Sequence, residues 1–485
     1  MANPQVKVQY NQIFINNSFV NSVSGKTFPT INPANKKIII NVAEGDKEDV
    51  DLAVNAARAA FQPNSEWRTM NASARGQLIY KFAELLKKNT IDLANLESLD
   101  NGKPYNSSEL DVKLAVSILQ YYAGFADKIH GKTIPSDGPY FTFTKCQPVG
   151  VVGSIIPWNY PTVIAVGKLA PALATGCTVV LKPAEQTPLT ALYLAALSKE
   201  AGFPNGVINI IPGYGPTAGK AIASHPDINK VTFTGSTEVG KLIMEEAAKS
   251  NLKRVSLELG GKSPLVIFDD FDVDEAVKIA HDSVFVNMGQ NCCAASRTFV
   301  QENIYDTFVK KAAKLASGKK VGDQFDANAE IWPLVSEEQY NKVLSMIESG
   351  KKEGAKLEAG GSNVGDTGYY VYPTVFSNVT DNMKIAREEI FGPVQQIIKF
   401  KTLDEVINRA NNTKYGLAAG ILTKNMDTAM KYMENVNAGS VWINSYLVFA
   451  AQIPFGGFNQ SGIGREYGED GLKEYLEIKS ISIKQ

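Results

Sequence analysis

The sequence predicts an α/β protein with buried parallel sheets in two successive units. Three observations carry this reading. Between about residues 148 and 270, short β-rich runs alternate with helical stretches. The turn signals AGFPNG, PGYGP and SHPD sit at the junctions, and a second alternation begins near residue 272. Strands that alternate with helices of about 10–15 residues imply βαβ units and a parallel sheet.

In chain order, VGVVGSII precedes a helix at 162–174, and CTVVLK precedes one at 187–201. VINII leads to a helix at 217–223, KVTFTG leads to one at 236–249, and VSLEL and SPLVIF follow as strands. The second unit reads as a helix to about 287, the strand RTFVQ, a helix to about 319 and another at 337–353. TVF, QQIIKF, a helix at 403–410, GLAAGILT and GSVWIN complete it. VSLELGGKSP lies between the halves, where paired glycines allow a hinge or a close backbone approach. The tail YLEIKSISIKQ alternates weakly, as an edge strand would.

At 485 residues the chain is long enough for two or three domains. Hydrophobic residues at 44% and charged residues at 20% are the balance of a globular protein with ample core. A net charge of −1 supplies no basic field for nucleic acid or an anionic membrane. No apolar run reaches the roughly 18 residues of a membrane span. The N-terminus has neither a secretory core nor an Arg-rich presequence, so a cytoplasmic address is expected. Cys146, Cys177, Cys292 and Cys293 are few for this length, a pattern of reducing compartments. With no C-x-x-C and only three scattered histidines, no metal site is expected.

Two glycine-rich stretches could receive phosphates. GYGPTAG, with Gly215 at its centre, contains Gly-x-Gly without the full dinucleotide spacing. FTGSTEVG follows the strand KVTF and opens a helix, so Gly235 and Ser236 are the better candidates. Either stretch is also a plain turn with an N-cap. In LKPAEQTP, Lys182 ends a buried-type strand and Glu185 follows, a pair suited to ribose hydroxyls or to a loop ion pair.

NMGQNCCAASRTF sets Cys292 beside Cys293 behind a Gly-Gln pair. A thiol nucleophile near neutral pH needs a lowered pKa or a neighbouring base. None of the three histidines is an obvious partner, so a carboxylate is the better base. Glu258 in LELGG lies in an apolar run where an unpaired carboxylate is costly and its pKa should rise, as a general base near neutrality requires. A cysteine, a carboxylate base and a dinucleotide site together suit oxidation of an aldehyde through a thioester. Packing of two small core residues is the plainer reading of the pair.

On these motifs the chain resembles the NAD(P)-dependent aldehyde dehydrogenase superfamily, its class 1/2 members (retinal and acetaldehyde dehydrogenases) in particular. IIPWNYP, LKPAEQTPLTAL, FTGSTEVG, LELGGKSP, GQNCC, EEIFGPV and PFGGFNQSGIGRE occur in the family's order. The spacing from Glu258 to Cys292 also matches. The resemblance implies a Rossmann-like NAD-binding domain over 1–127 and 148–260 and an α/β catalytic domain over 261–465. It implies a β-arm over 128–147 and 466–485 that builds a homo-oligomer, a tetramer or a dimer.

Residue by residue, the resemblance makes Cys292 the nucleophile and Glu258 the general base. Asn159 becomes an oxyanion donor, and Lys168 and Glu466 relay the proton. Lys182 and Glu185 would hold the ribose, with Gly235 and Ser236 at the pyrophosphate and Gly215 also cofactor-binding. Ile156, Trp158, Gln339, Glu389 and Phe391 would make further cofactor contacts. A carboxylate at Glu185 favours NAD over NADP. The implied partner is a small-molecule aldehyde. Leu114, Tyr160, Gly167, Phe449 and Phe455 would line its pocket.

Two positions depart from the family. Trp332 stands where a glycine is usual, and it is expected to crowd the cofactor. Gly167 stands where a tunnel-lining tryptophan is usual, which is expected to widen the pocket and favour bulky hydrophobic aldehydes over acetaldehyde. Against the enzyme reading stands a crystallin-like relative, catalytically weak, with impaired NAD binding. A thioester-forming acylating relative is disfavoured because Glu258 is present to drive hydrolysis.

Overall fold

The computed structural model describes residues 2–3 and 5–485. Five strands pair in parallel: Val151–Ile155, Thr178–Lys182, Ile208–Ile210, Lys230–Thr234 and Arg254–Glu258. Runs such as TVVLK and KVTFT are buried at every position. Helices cover both faces of such a sheet, so its strands read as continuous apolar runs. In space the order is 254–258, 230–234, 151–155, 178–182, 208–210. The chain therefore reverses direction across the sheet between 151–155 and 230–234, and the carboxyl ends of those strands open a crevice there.

Antiparallel strands close both edges of this sheet. Ile13–Ile15 pairs with Ile208–Ile210, and Gly462–Ile463 pairs with Arg254–Glu258. Neither strand is long enough to show a period in the sequence. A second sheet of seven strands runs 356–359, 374–377, 394–400, 297–301, 264–267, 418–422, 440–443, all parallel except the first pair. The LELGGKSP segment carries the chain from the end of one sheet into the other. Tyr140–Pro148 pairs with Thr133–Ile134 and with the tail strand Leu476–Lys484, which is an edge strand as expected. Among the described residues no helix is long and apolar enough to cross a membrane.

Two differences from the sequence reading have physical causes. In place of one helix at 217–223 there is a π-helical turn, Gly215–Gly219, then a short helix, Lys220–Ser224. Two glycines and a proline in GPTAG are poor material for a regular helix. The other difference is the set of helices before residue 127: Lys47–Ala60, Ala72–Lys88, Thr90–Asn101 and Tyr105–Ala123. They bury Ile79, Phe82, Leu86, Val112 and Leu119 against the first sheet's core.

The last two of these helices position the loop that carries Asn159 and Tyr160. Gly102 ends Thr90–Asn101 in the left-handed region (φ 90°) and turns Lys103 inward. The buried Lys103 ammonium donates to Asp111 at 2.6 Å and to the Asn159 carbonyl at 2.9 Å, and it pairs with Glu97 at 3.2 Å. It also lies 4.3 Å from the Tyr160 ring centroid. Glu97 accepts in turn from the Thr162 N–H at the start of helix Pro161–Thr175. Removing the cation would leave two carboxylates buried without it, a loss of about 3–5 kcal/mol. Lys103→Met is therefore expected to lower the urea unfolding midpoint sharply. A midpoint equal to that of the unaltered chain would contradict this anchoring role.

Candidate active site

A cavity of about 930 Å³ occupies the crevice between the two sheets. Its lining sorts into two chemistries. Thr234, Gly235, Ser236, Gln186, Ser336, Glu338, Gln339, Lys342 and Glu389 make a polar portion with Trp158 and Phe391. Leu110, Leu114, Ile118, Tyr160, Val163, Val286, Leu447, Phe449, Phe455 and Tyr467 make an apolar portion. Cys292, Glu258, Asn159 and Glu466 line the same cavity.

The Cys292 loop is held by backbone that few sequences tolerate. After helix Val273–Phe285, Asn287, Met288 and Gly289 all take positive φ. At Gly289 a Cβ would lie 2.0 Å from the Gly392 carbonyl oxygen, so only glycine fits. Gln290 then fastens the loop on both sides. Its side-chain oxygen accepts from the Val335 N–H (3.0 Å), and its backbone carbonyl accepts from the Asn159 amide (3.1 Å). The Gly-Gln pair ahead of the cysteines is thus a positioning device. Cys293 is fully buried against Leu417, Ala418 and Phe455, whereas Cys292 is only partly covered.

Glu258 ends the Arg254–Glu258 strand and is buried, with its Oε1 lacking any hydrogen-bond partner. Burial first, then the Cys292 thiol beside it, push the carboxyl well above its ordinary value. The thiol is likewise pushed up, first by its contact with Cys293 and then by burial; the Glu258 contact acts the other way. Both shifts move each group toward its neutral form. No histidine lines the cavity. The Asn159 Oδ1 is also buried without a partner, while its amide nitrogen keeps one N–H beyond that given to Gln290.

Lys168 and Glu466 lie together behind Glu258. The Lys168 ammonium donates to Glu466 at 2.5 Å and to the Thr232 hydroxyl at 2.9 Å, and Thr234 donates to the same Glu466 oxygen at 3.2 Å. Lys168 is buried and does not line the cavity; Glu466 does.

On the polar side the structure brings Trp158, Gly235, Ser236, Gln339, Glu389 and Phe391 to the cavity. Ser236 caps helix Thr237–Ser250 by accepting from the Val239 N–H. Gln339 donates to the Phe391 carbonyl at 2.6 Å and fixes Phe391 at φ 57°, its ring edge-on to Trp158. Glu389 accepts from the Gly261 N–H, and a Cβ on Gly260 would strike the same carboxylate at 2.3 Å, which explains the paired glycines of LELGG. Burial holds the Glu389 carboxyl above its usual range. Ile156, Lys182, Glu185 and Gly215 lie outside the cavity lining. Lys182 and Glu185 are paired at 3.3 Å, and space around the Cβ position of Gly215 is open.

Two sequence expectations are corrected. Trp332 does not line the cavity; it packs against the core of the second unit. Gly167 does not open the pocket, because Tyr467 occupies the space that its missing side chain leaves. Of the pocket residues named from sequence, Leu114, Tyr160, Phe449 and Phe455 line the cavity. Tyr467, Val163, Val286 and Leu447 were missed; they carry no motif and meet only through packing.

Comparison with known proteins agrees with this arrangement. A family model described as the aldehyde dehydrogenase family matches residues 19–481. Aldehyde dehydrogenase 1A1 of Homo sapiens is 58% identical over 480 residues, covering 99% of this chain and 96% of that protein. An aldehyde dehydrogenase of Enchytraeus buchholzi is 58% identical over 99% of this chain and 97% of its own length. The structure of a Bacillus cereus aldehyde dehydrogenase in complex with NAD+ superimposes with a TM-score of 0.96 at 50% identity, over 98% of this chain and 97% of that one. With its cysteine loop, buried carboxylate and switch-point crevice in one cavity, this chain belongs to the aldehyde dehydrogenase family.

Proposed function

We propose that this chain oxidises apolar aldehydes to carboxylic acids with NAD+, through a thioester on Cys292. The observation that carries the reading is the meeting, in one cavity, of a half-covered thiol, a buried carboxyl with an unpartnered oxygen and an apolar wall. The residues of the polar portion fit a dinucleotide. Gly235 and Ser236 open a helix of 14 residues at the switch point, where free N–H groups favour a pyrophosphate. Lys182 and Glu185 suit the ribose hydroxyls; Ile156, whose N–H donates to the Lys182 carbonyl at 3.1 Å, Trp158 and Gly215 would add further cofactor contacts. Gln339, Glu389 and Phe391 form a hydrogen-bonded group suited to the nicotinamide end. The Bacillus cereus relative with bound NAD+ supports that cofactor. When bound, NAD+ supplies the hydride acceptor.

The chain's own residues supply the rest. Glu258 takes the proton of Cys292, and the sulfur adds to the aldehyde carbon. The oxygen that becomes negative is stabilised by the remaining Asn159 N–H and by the Cys292 backbone N–H. After hydride leaves the carbon, Glu258 passes the thiol proton on toward Glu466 and Lys168, then deprotonates a water that cleaves the thioester, and returns that second proton to the departing Cys292 sulfur as the acid leaves. Glu466 and Lys168 provide an exit for the proton. Aldehyde, NAD+ and water thus give acid, NADH and a proton.

A base must be ionised to act, and Glu258 is held above the ordinary carboxylate range. The rate should therefore fall as pH drops through that raised value, at a higher pH than for an exposed carboxylate. Glu258→Gln should remove this acidic limb and lower kcat by roughly 10²–10⁴-fold. A kcat profile that stays flat down to the ordinary carboxylate range would contradict the assignment.

The apolar wall is expected to favour long or isoprenoid aldehydes over acetaldehyde by at least about tenfold in kcat/KM. NADH production over an aldehyde panel measures this, with Cys292→Ser as the inactive control. A higher kcat/KM for acetaldehyde would reject the preference, and turnover by Cys292→Ser would reject the nucleophile.

A further inference from the structure

Gly167 lies buried in helix Pro161–Thr175. A Cβ there would stand 3.0 Å from the Tyr467 Oη, 3.1 Å from its Cε1 and 3.3 Å from its Cζ. The ring of Tyr467 thus fills the notch that the glycine leaves. The same side chain lines the cavity with Cys292 and Glu258, and it packs against the cluster of Cys293, Leu417, Ala418 and Phe455. It bridges the helix and the nucleophile loop.

The backbone shows that this placement is imposed by its surroundings. Tyr467 has φ 59° and ψ 172°, a region essentially reserved for glycine. Both neighbours are pinned. Glu466 and Phe455 exchange N–H···O=C bonds of 2.7 Å, and the Gly468 N–H donates to the Ala451 carbonyl at 2.9 Å. The Tyr467 carbonyl accepts from the Gly471 N–H at 2.8 Å. The backbone of Tyr467 is thus fixed through Glu466, Phe455 and Gly468, and its ring is seated against Gly167 and the Cys293 cluster.

We propose that Tyr467, seated in the notch of Gly167, is the specificity-determining wall of the aldehyde channel. It admits slender apolar chains and refuses broad, ring-fused ones. The inference rests on the reading of this cavity as the aldehyde site. The selection is steric: a ring seated in the Gly167 notch takes up width on the wall of the cavity that holds Cys292. Glycine is the informative replacement, since it removes the ring and adopts the local φ and ψ freely.

The test compares kcat/KM for decanal and 2-naphthaldehyde in the unaltered protein, Tyr467→Gly, Tyr467→Phe and Gly167→Ala, with melting temperatures alongside. Tyr467→Gly should raise the naphthaldehyde-to-decanal ratio by about tenfold or more, through a lower KM for the broad substrate. Tyr467→Phe keeps the ring and should hold the ratio within about twofold. Gly167→Ala pushes the ring into the channel and should lower the ratio; it carries the test if Tyr467→Gly melts early. A ratio unmoved by both Tyr467→Gly and Gly167→Ala, with decanal turnover still dependent on Cys292, overturns the proposal and leaves the functional reading standing. If the unaltered protein oxidises neither aldehyde, the functional reading falls and the proposal falls with it.

Discussion

A carboxyl group buried beside a thiol, with one oxygen left without a partner, is the constraint around which the rest of this structure is arranged. Glu258 is the last residue of its strand, so its side chain emerges where the first sheet gives way to the second. Taking such a group out of water and leaving it unpaired costs several kcal/mol unless it becomes neutral. The fold meets that cost by raising its proton affinity, which makes its ionised form a stronger base. Cys292, pushed up in the same environment, needs a base for the same reason.

The surrounding elements serve to hold these two side chains in place. Paired glycines after Glu258 let Glu389 and the Cys292 carbonyl approach the chain closely. Three consecutive positive-φ residues and the Gln290 clasp fix the nucleophile loop. Lys103, one helix earlier in the chain, holds the Asn159 carbonyl and so fixes the proposed oxyanion donor. Lys168 neutralises Glu466, which keeps a second negative charge from sitting uncompensated beside Glu258. Removing any one of these supports leaves the chemistry present and its geometry loose.

Much of this was legible in the sequence, for physical reasons that differ between elements. The parallel strands announce themselves because burial on both faces forces continuous β-branched runs such as TVVLK. Cys292 and Glu258 are legible because a lone thiol pair and a carboxylate in an apolar run are each costly or reactive by type. The helices before residue 127 were not read, since Thr90–Asn101 buries polar residues such as Asn95, Glu97 and Asp100 and shows no clean apolar stripe. Gly167 and Trp332 were read by position and misjudged. A sequence shows that a side chain is missing or added, and only packing shows what fills the space or where the ring turns. Trp332 packs toward the second core and not into the cavity.

The central claim is that carbon–sulfur chemistry occurs at Cys292 and that Glu258 drives its release. Mass spectrometry of the Glu258→Gln protein, quenched in acid after one exposure to decanal and NAD+, tests it directly. The account predicts a decanoyl mass added to the peptide holding Cys292 and Cys293, located on Cys292 by fragmentation and absent in Cys292→Ser. An adduct on Cys293, or none at all while NADH is still formed, would contradict it.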